Sequence, residues 1–281
     1  MASVRIITDS SCDLPDDVVR SLGIEIVPLF IRFGDDEVVD REQLTTAEFW
    51  ARCSASGDLP STAAPSPGRF EQAIRKVVSE GASGVVMVNL SGALSATLQS
   101  AQMAAESLAD LVPIRVVDSR SVSLGLGAIV VECARAAQKG AGLDDVAALA
   151  HDLVGRCELW GALDTLENLK KGGRIGGAQA MLGSVLSIKP IIEVRDGTVQ
   201  EGGKQRTRSK AIAFLVDKVR TVSASPGISR LCVLHADCSD VDSFVAQLKT
   251  VHPGDILVGE IGAVIGAHAG RGTIGVAYFR N

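Results

Sequence analysis

Apolar positions in the first half of the chain fall into short β-branched runs separated by stretches with helical spacing. Val4–Thr8, Glu25–Phe33, Val85–Leu90 and Ile114–Asp118 predict strands. Helical spacing covers Pro15–Leu22, Thr46–Cys53, Pro67–Glu80, Leu94–Leu108, Val122–Gln138 and Leu143–Val154. Asp13 can cap the first of these, with Pro15 near its opening and Asp16 and Asp17 complementing the helix dipole. Gly23, Gly81 and Gly140 fall where helices should stop. Such alternation predicts a parallel sheet covered by helices.

The rhythm changes near Arg156, which divides the chain into an N-terminal α/β/α parallel-sheet domain over 1–156 and a C-terminal α/β domain over 157–281. Strands are expected at Glu158–Leu163, Ile191–Arg195, Arg230–His235, Ile256–Glu260 and Thr273–Phe279. Helices fit Thr165–Lys170, Ala178–Ser187, Ser209–Val222 and Asp240–Thr250. Asp196-Gly197 between two apolar runs signals a hairpin, so the second sheet should be mixed, with antiparallel pairs.

Composition narrows the function classes. With 46% hydrophobic and 22% charged residues the chain can bury a real core, and with 4% aromatics that core is mostly aliphatic. A net charge of −5 argues against nucleic acid, which needs a basic surface. The N-terminal sequence lacks the pattern of a signal peptide. No window approaches the roughly 18 consecutive apolar residues of a membrane span. A cytoplasmic protein without stable membrane anchoring is expected, with transient membrane contact left open. Six scattered cysteines never form Cys-x-x-Cys and read as reduced thiols. Cys232, His235 and Cys238 are too few to close a zinc site, so no metal is expected.

Several motifs could carry chemistry. Two strands end alike, in Asp9-Ser10 and Asp118-Ser119, where α/β sheets face a ligand crevice. The same side chains could equally bind local backbone. In the proline-rich stretch Leu59–Gly68, Ser66 can cap the following helix, whereas Thr62 has no such structural use. Ser91–Thr97, with Ser95, follows the strand Val85–Leu90 and enters a helix, but Gly92-Ala-Leu-Ser95-Ala is not a nucleophile elbow. Gly270-Arg-Gly272-Thr-Ile-Gly275 has dinucleotide-binding letters but precedes a terminal strand instead of a helix, so it is a decoy. His268 lies among glycines that let backbone approach closely. Basic islands at Lys170, Lys171 and Arg174, and at Lys204, Arg206, Arg208 and Lys210, are flanked by glycine pairs and could meet an anion or an acidic partner.

Taken in order, these pieces resemble the DegV family, whose characterised members include the FakB fatty-acid-binding proteins. The resemblance rests on Thr8-Asp9-Ser10-Ser11-Cys12-Asp13-Leu14-Pro15, Pro65-Ser66-Pro67-Gly68, Leu94-Ser95-Ala96-Thr97 and Val117-Asp118-Ser119. It continues through Leu169-Lys-Lys-Gly-Gly-Arg174-Ile175, Lys189-Pro190-Ile191, Arg206-Thr207 and Gly266-Ala267-His268-Ala269-Gly270. It implies a two-domain fold and a buried long-chain fatty acid as ligand, with no other cofactor. It also implies that Thr62, Ser95 and His268 hold the carboxylate. A separate ATP-dependent fatty-acid kinase would then phosphorylate the acid to an acyl-phosphate, the chain itself not being the enzyme. Arg174, Arg206 and Lys204 become candidate contacts for that partner or its phosphate. Beside the head group, Ala63-Ala64, Ala96 and Leu98 depart from the family pattern. Two rival readings are a stand-alone hydrolase using Ser95 and His268, and a carrier of another small anionic metabolite.

Overall fold

The computed structural model describes residues 3–56, 59–183 and 188–281. Its first part contains β1 (Val4–Asp9), α1 (Asp16–Leu22), β2 (Glu25–Val27), β3 (Phe30–Phe33), β4 (Asp36–Val39), α2 (Thr46–Ser56) and β5 (Ser61–Ala63). These are followed by α3 (Pro67–Ser79), β6 (Gly84–Asn89), α4 (Thr97–Ser107), β7 (Ile114–Asp118), α5 (Ser123–Gln138) and α6 (Leu143–Arg156). Strands β2-β1-β6-β7 form a sheet in which every pair is parallel. The second part adds β8 (Cys157–Ala162), α7 (Glu167–Lys171), β9 (Lys189–Arg195), β10 (Thr198–Gln205), α8 (Arg208–Ala224) and β11 (Ile228–His235). It closes with α9 (Val241–Lys249), β12 (Ile256–Glu260), α10 (Ala263–Ala269) and β13 (Ile274–Arg280). Its sheet, ordered β10-β9-β8-β13-β11-β12, is mixed: β11 and β12 run parallel and the other pairs antiparallel. The protein is therefore an α/β fold with a parallel N-terminal and a mixed C-terminal sheet.

Helix α5 joins the two sheets. Its sequence is apolar nearly all round, and residues from Ser123 to Val131 are buried without interruption, as expected for a central helix. One core cluster runs from Ile6 and Val86 of the first sheet through Leu126 and Ile129 to Leu159, Leu234 and Ala277 of the second. Gly127 makes close packing possible here: a Cβ would lie 2.6 Å from the Cys12 carbonyl.

Four expectations differ from the structure. The single strand over Glu25–Phe33 breaks at Pro28, which has no N–H for the ladder. β2 stays in the parallel sheet, while β3 joins a small antiparallel sheet ordered β4-β3-β5. Thr62, expected in a loop, is on β5 opposite Ile31. The helix expected from Leu94 starts only at Thr97, after a turn. The helix expected over 178–187 is a short 3-10 turn, Gly176–Met181, and residues 184–187 lie outside the described residues. Among the described residues, no helix is long and apolar enough to cross a membrane.

Candidate functional site

Between the two sheets lies a thin apolar slot. It encloses about 770 Å³ of atom-free space with its opening to solvent included. Its walls come from both halves of the chain: Leu90 after β6, Val122 before α5, Leu159 on β8, Ile192 on β9 and Leu234 on β11. A space this narrow and oily suits an extended alkyl group better than a hydrated metabolite.

Thr62, Ser95, His268 and Arg174 all line this slot. A second recess, toward the outside and edged by Asn168 and Lys171, shares Thr62, His268 and Arg174 with it. Those three side chains thus stand where an apolar interior meets a polar exterior.

Each arrives by local chemistry. Thr62 is fixed by the pairing of β5 with β3, whose alternation turns its side chain away from that of Ser61. Ser95 belongs to the turn ahead of α4. Its Oγ lies 2.9 Å from Thr97 Oγ1, and the Thr97 N–H donates to it at 3.3 Å. His268 sits in the last turn of α10, an element masked in the sequence by its glycines. Gly266 explains the helix: its missing side chain lets α10 settle against Phe49 and Trp50, where a Cβ would come within 2.9 Å of both rings.

The Thr62 hydroxyl and His268 Nε2 lie 2.9 Å apart. His268 Nδ1 is buried without a partner, closed off by Gly172, where a Cβ would stand 2.3 Å from it. Burial, and then the nearby Arg174 charge, push the imidazole down to about 4, so the ring is neutral at pH 7. With Nε2 protonated, the ring donates to Thr62 and frees the threonine hydrogen for an acceptor in the slot. Ser95 is bonded to Thr97 and the imidazole to Thr62, and among the described residues no carboxylate is bonded to Nδ1.

Arg174 is half-buried. Its Nε donates to the Leu94 carbonyl at 3.1 Å and its Nη1 to the Gly172 carbonyl at 2.7 Å. Sequence reasoning marked it, from its basic island and flanking glycine pairs, as a candidate contact for an anion or an acidic partner, and did not place it in the slot. It also missed the bond from Ser91 Oγ to the Gly197 carbonyl, at 2.6 Å, which ties the turn before Ser95 to the β9–β10 hairpin.

The remaining candidates lie elsewhere. Arg206 is exposed with no ion pair among the described residues, and exposed Lys204 stands 3.9 Å from Glu201. Asp9, Ser10, Asp118 and Ser119 do not line this slot; Ser10 and Ser119 edge two separate recesses. Asp9 is fully buried and accepts from the Ser11 and Leu90 N–H groups and from Asn89. Ser10 accepts from the Leu29 N–H and edges a separate polar recess. Asp118 accepts from the Arg120 N–H, and Ser119 donates to the Ser121 carbonyl. Strand ends expose backbone groups, and these short polar side chains satisfy them.

Comparison with known proteins agrees with this architecture. The model of the DegV family, described as uncharacterised proteins, matches residues 3–281. A DegV domain-containing protein from Deinococcus radiodurans is 37% identical over 277 residues, covering 98% of each chain. A DegV family protein from Thermus thermophilus, for which fatty acid binding is described, superimposes with a TM-score of 0.89 at 32% identity, covering 99% of this chain and 100% of that one. DegV from Bacillus subtilis, described as a fatty acid binding protein, gives 0.88 at 25% identity with full coverage of both. From its third residue to its last, the chain belongs to the DegV family.

Proposed function

We propose that this protein binds a long-chain fatty acid, buries the acyl chain in the slot and holds the carboxylate at Thr62, Ser95 and His268. The acid is then presented to a separate ATP-dependent fatty-acid kinase for conversion to an acyl-phosphate. The observation that carries the reading is the Thr62–His268 pair at the mouth of an apolar slot that Ser95 also lines. Fatty acid binding by the Thermus and Bacillus relatives supports it.

The chemistry is consistent. A carboxylate only accepts, and the Thr62 and Ser95 hydroxyls can donate to it, the Thr62 hydrogen being freed by the imidazole N–H that donates to Thr62. Each such bond contributes about 1.5–3 kcal/mol. Burial of an alkyl chain contributes about 0.8 kcal/mol per CH₂, less several kcal/mol for association and ordering. For roughly 14 methylenes the chain sets affinity and the head-group donors set register. A kinase needs that register, because the reacting oxygen must be found in one place. Exposed Arg206 and Lys204 are the candidate docking residues for that acidic or phosphate-bearing partner.

Native mass spectrometry of protein purified from cells tests the reading. A co-purifying mass in the long-chain fatty-acid range is expected. A polar phosphorylated metabolite in its place would favour the rival carrier, and covalent labelling of Ser95 by a fluorophosphonate would favour the hydrolase.

A further inference from the structure

The start of α10, at the end away from His268, borders a polar recess that shares no wall residue with the slot. Two buried acids, Asp13 and Asp40, line it together with exposed Asp16 and Glu260. Arg41 is the one basic residue on its walls, and its Nη2 is committed to the Leu14 carbonyl at 2.9 Å and to Asp16. Burial pushes Asp13 up to about 7 and Asp40 up to about 6, and the Asp40 charge adds to the rise at Asp13. Ser123 and the Gly262 N–H oppose that rise at Asp13, as the Ser10 hydroxyl does at Asp40. The other titratable neighbours are buried Asp9, itself raised by burial, and Cys12, whose thiol burial pushes up to about 12. Glu48 of α2 is exposed and bonded to Thr45, while α5 and α10 present only Ser123 and Gly262 to Asp13.

Each buried acid stands behind one partner of the Thr62–His268 pair. Asp13 accepts from the Gly262 N–H at 3.0 Å, at the root of the helix that carries His268. Asp40 follows β4, and β4 pairs with β3, which in turn pairs with Thr62 on β5. The junction is tight: a Cβ on Gly259 would lie 2.8 Å from the Asp13 carbonyl, and one on Gly262 2.9 Å from Asp13 Oδ1. It is also strained, with left-handed φ values of 51° at Asp13, 63° at Arg41 and 49° at Ser123. Such strain persists only while the surroundings enforce it.

We propose that Asp13 and Asp40 form a pH-sensitive latch behind the head-group site: with either acid protonated α10 stays seated, and with both ionised it shifts, loosens the Thr62–His268 pair and weakens lipid binding. Two buried charges with one cation, already engaged, are costly, and opening the recess to water relieves them. The seated form holds the proton more tightly, so binding takes up protons and strengthens as pH falls from about 8 to about 6. This window lies above the one in which His268 itself titrates. The effect on lipid rests on the fatty-acid reading; the coupling of the recess to His268 does not.

The test titrates palmitate calorimetrically into delipidated wild type, Asp13→Asn and Asp40→Asn at about pH 6 and about pH 8. Ionisation of palmitate itself is common to the three proteins and drops out of the comparison. Wild-type Kd should rise by about tenfold over that interval, within the tenfold per pH unit that one linked proton allows. Each variant keeps at most one of the two charges, so its Kd should stay near the wild-type value at low pH. In lipid-free wild type the NMR resonances of the His268 ring should move with a midpoint near 7, in step with the Gly262 amide, in a range where the imidazole stays neutral. Both variants should lose that movement. Equal wild-type Kd at the two pH values overturns the proposal, as does either variant that keeps the wild-type slope. So does a Gly262 amide that titrates while the ring stays still. If Asp13→Asn fails to fold, Asp40→Asn and the wild-type resonances decide. Palmitate bound at neither pH sinks the fatty-acid reading, and the ring resonances then decide the latch on their own.

Discussion

Ser95 has one hydroxyl, shared with Thr97, and one place to offer it. Ser95→Ala should therefore weaken palmitate binding by about tenfold or more, the loss of one bond to a charged acceptor, while leaving a detectable complex. Titration of the variant checks this, and an unchanged Kd removes Ser95 from the head group. His268 makes a prediction in pH. A carboxylate beside the ring favours its protonated form, so lipid should raise the imidazole from about 4 toward its ordinary 6.5. Binding then takes up protons in that window and tightens as pH falls through it; NMR titration with and without palmitate reads the shift directly. At this scale the sequence was informative where a residue lacked a structural use. Thr62 and His268 stood out for that reason, and the family resemblance supplied their role. Arg174 was marked as a candidate contact by its basic island and flanking glycines, but its half-burial was not legible, because that depends on which carbonyls the fold brings to the guanidinium.

Elements carry the site through contacts that only small residues permit. Gly172, just after α7, packs over the imidazole carried by α10. Its φ of −74° is open to any residue, so Gly172→Ala acts chiefly by forcing the new methyl against the imidazole, 2.3 Å from Nδ1, with a lesser contact at 3.1 Å to the Asn168 carbonyl. Overpacking of this kind costs about 1–3 kcal/mol, and here it falls on ring position. Palmitate binding by Gly172→Ala should weaken by about tenfold, with helix content by circular dichroism unchanged; unaltered affinity would show that ring position does not matter. The β9–β10 hairpin is held from the other side by Ser91. Helices and strands with plain periodicity, such as α5 and β6, were legible along the chain. Those made by tertiary contact were not: α10 forms because Gly266 fits under Phe49 and Trp50, and β10 carries the polar run Gln200 to Gln205, so only its hairpin turn announced it.

The two larger sheets share one core cluster, with the slot where that core is unfinished. Stability should therefore depend on pH through groups the fold buries on either side of α10. Asp13, pushed by burial up to about 7, accepts from the Gly262 N–H at 3.0 Å and from Ser123, tying α10 to α5. Its folded value lies above the unfolded one near 3.8, so the folded state holds the proton more tightly. That contribution is full below about 3.8 and is lost as pH rises through about 7. His268 has the opposite sign: its contribution is full above 6.5 and is lost as pH falls through about 4. Asp13→Asn removes the first dependence only, so the loss of stability from this group between about pH 4 and 7 should disappear from the Tm profile of that variant. An unchanged decline would place the titration elsewhere, with Asp40, raised to about 6, the next group to test.

An acyl chain in the slot completes the core that the two sheets leave open, so lipid should stabilise the fold and not merely ride on it. Each methylene that fits adds about 0.8 kcal/mol of burial, and ligand present at a hundred times its Kd adds about 2.7 kcal/mol of apparent stability. With the carboxylate fixed at Thr62, Ser95 and His268, every added carbon must extend inward along the Leu159, Ile192 and Leu234 walls. Fatty acids from about 10 to about 18 carbons should raise Tm stepwise until the chain reaches the closed end, after which further carbons add nothing or destabilise. Scanning calorimetry of the delipidated protein across that series checks it. A Tm indifferent to chain length would mean the alkyl group lies outside the shared core. A smooth rise without a break would mean the slot opens at its far end.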